Sequence, residues 1–149
     1  MSYHCGSVWP HGTAIVVRGL ARDGQVARAV APGLQLLTAA DGFDRRFPEL
    51  LAGFGADEVS TPVPYPAACR PQAWSAAAAA VVLQAVLGLT VDVPGGPLTL
   101  RPARPSPLGA LQVRRLRVGD GHLDVDIARD GTVEFVDATG SMRVDVAGR

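Results

Sequence analysis

The sequence predicts a mainly α fold closed by a small C-terminal β meander. Three observations carry this expectation. Residues 75–89, from Ser75 to Leu89, are apolar and free of charge on every side, the pattern of a helix buried all round. Upstream, apolar residues recur at helical spacing over residues 13–22 and 25–40. After Pro107 the period drops to two, with glycine-bearing turns between the apolar runs.

Composition bounds the class. A chain of 149 residues is normally one domain and can bury a core. Its residues are 48% hydrophobic and 19% charged, a globular balance. Basic and acidic residues number 14 each, so the charge balance gives no nucleic acid and no anionic membrane as partner. Arg114, Arg115 and Arg117 are the one basic cluster and read as the wet face of a strand. The start carries no basic-then-apolar leader, which makes the cytoplasm the expected compartment. Cys5 and Cys69 are then thiols, although a disulfide between them stays open.

Taken in order, residues 2–12 spend a Tyr, a Cys, a Trp and two His at once and read as the interior of a longer sequence. Thr13 is a candidate cap for a helix to about Arg22, with Ile15, Val16, Gly19 and Leu20 on its buried side. Val26, Val30, Leu34 and Leu37 give a second helical stripe. Pro32 and Gly33 interrupt it, so it is one kinked helix or two pieces, and the pair forms an αα-hairpin.

Residues 41–61 form a loop with one dense spot, Arg45-Arg46-Phe47-Pro48-Glu49-Leu50-Leu51-Ala52-Gly53-Phe54. Two readings of Glu49 stand side by side. Its apolar neighbours would desolvate the carboxylate and raise its pKa, which suits acid/base work. Alternatively, Glu49 opens a short helical turn with Pro48 at its first position. Residues 65–74 form a proline-stiffened loop ahead of the apolar helix. At about 1.5 Å per residue that helix is roughly 20 Å long, too short for a bilayer.

Residues 90–107, with prolines at 94, 97, 102, 105 and 107, read as an extended strap over a surface. The meander follows. Leu111 and Val113 alternate, the phase slips at Arg114-Arg115 as at a bulge, and Leu116 and Val118 resume it. Leu123, Val125 and Ile127 make a second strand, Val133 and Phe135 a third, and Met142, Val144 and Val146 a fourth. The expected division is residues 1–93 for the helices and loops and 94–149 for the strap and meander.

Several chemistries find no motif. The dinucleotide and P-loop glycine patterns are missing, and Gly6-Ser7 lacks the glycines of a nucleophile elbow. Asp124, Asp126 and Asp130 fail as a calcium loop because Arg129 stands where glycine is needed. His4, Cys5 and His11 match no standard zinc spacing. The expectation is therefore no metal and no cofactor.

Three segments in order carry a resemblance: Tyr3-His4-Cys5-Gly6-Ser7-Val8-Trp9-Pro10-His11 before a helix, Phe47-Pro48-Glu49-Leu50-Leu51-Ala52-Gly53-Phe54, and Tyr65-Pro66-x-x-Cys69-x-Pro71-Gln72-Ala73-Trp74. Together they resemble the C-terminal part of the amylo-α-1,6-glucosidase-like, glycogen-debranching-type glycoside hydrolases of bacteria. The resemblance implies part of an (α/α)6 toroid of the six-hairpin glycosidase kind, of which this chain would supply three to four helices beside a small antiparallel sheet. It implies a substrate with α-glucosidic bonds, in glycogen or an oligosaccharide, cleaved between two carboxylates that stand about 6.5–9.5 Å apart in an inverting enzyme. By its place in the motif, Glu49 matches the base. Trp9 and Trp74 resemble sugar-stacking platforms, His11 and Gln72 would donate to hydroxyls, and Tyr3 and Arg70 are further substrate contacts.

The acid of such enzymes belongs upstream of anything matched here, so the chain alone is expected to show little or no activity. Two other readings accompany this one. In the first, a non-catalytic carbohydrate-binding or assembly module completes a barrel with a partner chain or by self-association, driven by an exposed apolar helix. In the second, the chain is an α+β domain without a ligand.

Overall fold

The computed structural model describes residues 2–91 and 96–147. The elements run β1 (Ser7–Val8), α1 (Pro10–Arg22), α2 (Val26–Asp41), β2 (Leu51–Ala52), α3 (Ala73–Leu87), β3 (Thr90–Val91), β4 (Leu98–Leu100), β5 (Leu111–Val118), β6 (Gly121–Ile127), β7 (Val133–Ala138) and β8 (Val144–Val146). Among the described residues helix accounts for 31% and strand for 24%, the strands lying in three small sheets. The fold is mixed α/β. This overturns the mainly α expectation and with it the partial (α/α)6 toroid. Short segments that carry no usable period, above all residues 7–8, 51–52, 90–91 and 98–100, satisfy their backbone groups by pairing as strands.

The chain divides into two compact units, Met1–Leu83 and Gln84–Arg149. The expected boundary at 93/94, and with it Pro94 and Gly95 of the strap, lies outside the described residues.

In the first unit α1 begins earlier than its sequence suggests. Pro10 takes the first helical position, where its missing N–H costs nothing, and Trp9 is the cap residue without a side-chain bond. Thr13 is already inside the helix, its amide donating to Trp9 O at 2.9 Å. The buried stripe is Pro10, Ala14 and Val17, while Ile15 and Val16 are 55% and 58% exposed. On α2, a single helix through Pro32, the buried positions are Ala29, Gly33, Leu36, Ala39 and Ala40, one step off the expected stripe. Small residues bring the backbones of helices close together, so they take the contact and the larger residues flank it. A Cβ on Gly33 would lie 3.5 Å from both Val17 Cγ1 of α1 and Val82 Cγ1 of α3.

The α3 helix corrects a further expectation. Ser75, Ala78 and Val82 are buried, but Ala76, Ala77 and Ala80 are exposed, so the helix buries one stripe instead of its whole circumference. Residues 51–52 pair antiparallel with residues 7–8, in register Ser7 to Ala52 and Val8 to Leu51. The pairing is tight: a Cβ on Gly53 would lie 2.4 Å from Gly6 O, which already accepts the Gly53 amide at 2.9 Å.

In the second unit β5, β6 and β7 form the antiparallel meander, with a register shift between Val113 and Leu116 where the sequence marks a bulge. Arg115 there has φ 53°. Leu123, Val125 and Ile127 of β6 are buried in strict alternation. The fourth expected strand leaves the meander. β8 pairs in parallel with β4, Leu98 to Val144, and β4 pairs antiparallel with β3. The segment read as a strap therefore supplies two strands of a sheet, because leucines 98 and 100 both need burial and reach 2% and 0% exposure.

Candidate functional site

Glu49 is the centre of the one cluster that gathers most of the sequence-predicted site residues. It does not open a helical turn. Phe47 to Leu50 is irregular and leads into β2, and the Glu49 amide donates to Cys69 O at 2.9 Å. Its main-chain carbonyl accepts Ser75 Oγ at 3.3 Å, so the first turn of α3 fixes the residue from behind. The residue is 7% exposed. Tyr3 Oη donates to Oε1, and the Cys69 amide donates to Oε2 at 3.3 Å.

The electrostatics run against the expectation of a raised pKa. The hydrogen bond from Tyr3 holds the Glu49 pKa below its usual value, with the Cys69 amide and the Gln72 side chain adding to it. Burial acts in the opposite direction and is outweighed. The same bond and the adjacent carboxylate push the Tyr3 phenol up to about 12. At neutral pH the pair is a carboxylate held by a protonated phenol. This is a strong hydrogen-bond acceptor and a weak base.

Around this pair lies a continuous set of rings. Tyr3 meets His4, Trp9 and Tyr65 edge-on, at centroid distances of 4.9, 5.0 and 6.0 Å. His4 stacks on Trp9 at 5.6 Å and 4°. Trp9 meets Trp74 edge-on at 6.2 Å, and His11 stacks on Trp74 at 5.1 Å and 14°. Each such contact stabilises by about 0.5–1.5 kcal/mol beyond burial, so the rings fix one another. The β1–β2 pairing explains how residues 3–9 arrive beside Glu49, and the helix starts of α1 and α3 bring in His11 and Trp74. Trp74 stays 45% exposed.

Tyr3, Trp9, His11, Gln72 and Trp74 are thus brought together with Glu49. Arg70 is committed elsewhere: its Nη2 donates to Phe43 O at 2.7 Å and to Asp44 at 2.8 Å, and the guanidinium lies over the Phe43 ring. The Arg70–Pro71 peptide is cis. Asp44 is held by Arg70, and Asp41 lies 4.0 Å from Arg45. Cys5 and Cys69 are both exposed and unbridged. Among the described residues no group of three or more His, Cys, Asp or Glu could hold a metal ion.

Sequence reasoning missed His4 and Tyr65 as parts of the ring cluster, and the main chain of Cys69 as a partner of Glu49. The only sequence signal for them is the density of aromatic residues and histidines in 3–11 and 65–74, because a main-chain donor leaves no trace in residue type. Among the described residues no helix is long and apolar enough to cross a membrane. Compared with known proteins, the chain matches no protein-family model, and no curated protein matches it significantly, so the meaning of the site rests on its own residues.

Proposed function

We propose that the chain binds carbohydrate, an α-glucan or oligosaccharide, as a C-terminal fragment or short homologue of glycoside hydrolases acting on α-glucosidic bonds, with little or no hydrolysis by itself. One observation carries the reading: Trp9, Trp74, His11 and Tyr3 form one aromatic cluster, and Tyr3 ties it to an ionised Glu49. Pyranose rings present C–H faces that stack on indoles, and their hydroxyls donate to carboxylates. A half-exposed Trp74, joined through Trp9 and Tyr3 to the Glu49 carboxylate, supports both needs.

Binding is favoured over hydrolysis by the carboxylates. Glycoside cleavage uses an acid and a base across the scissile bond. Asp44, the carboxylate nearest Glu49 in sequence, is engaged with Arg70 at 2.8 Å. Glu49 itself has a lowered pKa, which weakens it as a base. The reading goes with the cytoplasm, where Cys5 and Cys69 stay reduced.

Titration of the chain with maltooligosaccharides, followed by Trp fluorescence, tests this. A saturable change that Glu49→Gln weakens, with no release of glucose, is the expected result. No change at millimolar sugar overturns the reading, and sustained glucose release overturns its non-hydrolytic part.

A second reading, assembly with another chain, is favoured by Ile15, Val16 and Phe54, which are 45–58% exposed in the first unit. Light scattering on the purified chain tests it: a defined oligomer supports it, and a monomer at high concentration rejects it.

A further inference from the structure

A groove of about 460 Å³ lies between the C-terminal half of α2, the turn after it and the first turns of α3. Leu37, Phe47, Ala76 and Ala79 give it apolar walls, and Arg45 and Arg46 also line it. Its volume falls in the range of small-molecule sites, about 300–1,000 Å³.

The charges favour an anion. Two arginines against Asp41 leave a formal charge of +1 in the lining (two less one). Arg45 and Asp41 approach only to 4.0 Å and are 88% and 76% exposed, a pair that water screens strongly. Among the described residues Arg46 has no carboxylate within ion-pair distance.

The turn that carries the arginines is held from both sides. The Arg45 amide donates to Ala40 O and the Arg46 amide to Phe43 O, each at 2.9 Å. Arg70 clamps Phe43 O and Asp44 from the other side. Asp44 and Arg45 adopt φ 53° and 59°, a left-handed pair that L residues avoid unless their surroundings enforce it. The main chain beneath the two guanidinium groups is therefore set before any ligand arrives, which lowers the ordering cost of binding.

We propose that this groove is a binding site for a small organic anion with an apolar body, an aryl carboxylate or aryl phosphate. The body lies against Leu37, Phe47 and Ala76, and the anionic group is met by Arg46, with Arg45 beside it. The planar guanidinium fork suits either head group.

Benzoate, phenyl phosphate, inorganic phosphate and benzyl alcohol, each titrated into the full chain by calorimetry and amide NMR, test the proposal. No sugar is present, so the outcome is independent of the carbohydrate reading. Benzoate or phenyl phosphate should bind saturably and shift the amides of Leu37 and Ala76, and the tighter of the two identifies the head group. Benzyl alcohol and inorganic phosphate should each bind about tenfold weaker or less, and Arg46→Gln should weaken the better ligand by about tenfold, the scale of one charge-assisted hydrogen bond. Arg46 is exposed, so this variant keeps the fold. Absence of saturable binding by either aryl anion overturns the proposal. So do equal binding of benzyl alcohol or inorganic phosphate, amide shifts elsewhere in the chain, and an Arg46→Gln variant that binds like the parent.

Discussion

Tyr3 donates its phenolic hydrogen to Oε1 of Glu49, a residue 46 positions away in the chain. The bond fixes the protonation state of both partners and connects a ring cluster to a buried carboxylate. Its pH behaviour follows from the two shifts. Glu49 has a folded pKa below its ordinary 4.5, so its contribution to stability is complete above that value. It is lost as pH falls through the lowered folded pKa. Tyr3 is raised from 10.0 to about 12, so its contribution is complete below pH 10 and is lost between pH 10 and about 12. Tyr3→Phe should flatten both flanks of the stability profile. Urea melts across pH check this, and carboxyl-carbon NMR should show the Glu49 pKa rising in the variant, because burial is then less opposed.

Trp74 and Arg70 separate sugar contact from scaffold. Trp74→Ala removes the most exposed indole of the cluster and should weaken maltooligosaccharide binding by about tenfold or more, since a stacked ring contributes on the order of 1–2 kcal/mol. Arg70→Ala should leave that affinity within about twofold while lowering stability by about 1 kcal/mol, through loss of its bonds to Phe43 O and Asp44. Paired affinity and denaturation measurements on the two variants check both statements.

Gly53→Ala should disrupt the pairing of residues 7–8 with 51–52. Its Cβ would fall 2.4 Å from Gly6 O, a main-chain atom that cannot yield without moving the strand. A loss of about 2–3 kcal/mol is expected. Sugar binding should fail with it, because the same pairing brings Tyr3 and Trp9 beside Glu49. Chemical denaturation and fluorescence titration of one sample test the two effects together.

Leu123→Ala should cost about 2–5 kcal/mol, as its side chain is fully buried in the centre of the meander and the sheet cannot close over the cavity. Asp124→Ala on the same strand removes an exposed bond to the Arg115 amide and a charge near Arg114 and should cost about 1 kcal/mol or less. Thermal melts of the two variants measure the contrast.

Unlike His4 and Tyr65, Glu49 and the rings of Tyr3, Trp9, His11 and Trp74 were legible in the sequence because their types are unusual at that density. Their meaning was not legible in full. The apolar neighbours of Glu49 pointed to a raised pKa, and the phenol that lowers it sits 46 residues upstream. Arg70 lies within the right loop, yet its side chain is taken by a turn that no local pattern announces.

By itself the sequence determined the three helices, the bulge at Arg114-Arg115 and the alternation of the 123–127 strand, since each rests on contacts between near neighbours in the chain. Tertiary structure decided the rest. It chose Ala14 and Gly33 over Ile15 and Leu34 for burial, because close approach of helix backbones outweighs the size of the apolar residue. It sent residues 144–146 to pair in parallel with residues 98–100, and residues 7–8 to pair with 51–52. Strands of two or three residues are too short to show a period. Their partners are fixed by which unsatisfied backbone groups and apolar side chains meet once the chain is compact. The mixed α/β fold and the Tyr3–Glu49 site both follow from those pairings, which only the folded chain reveals.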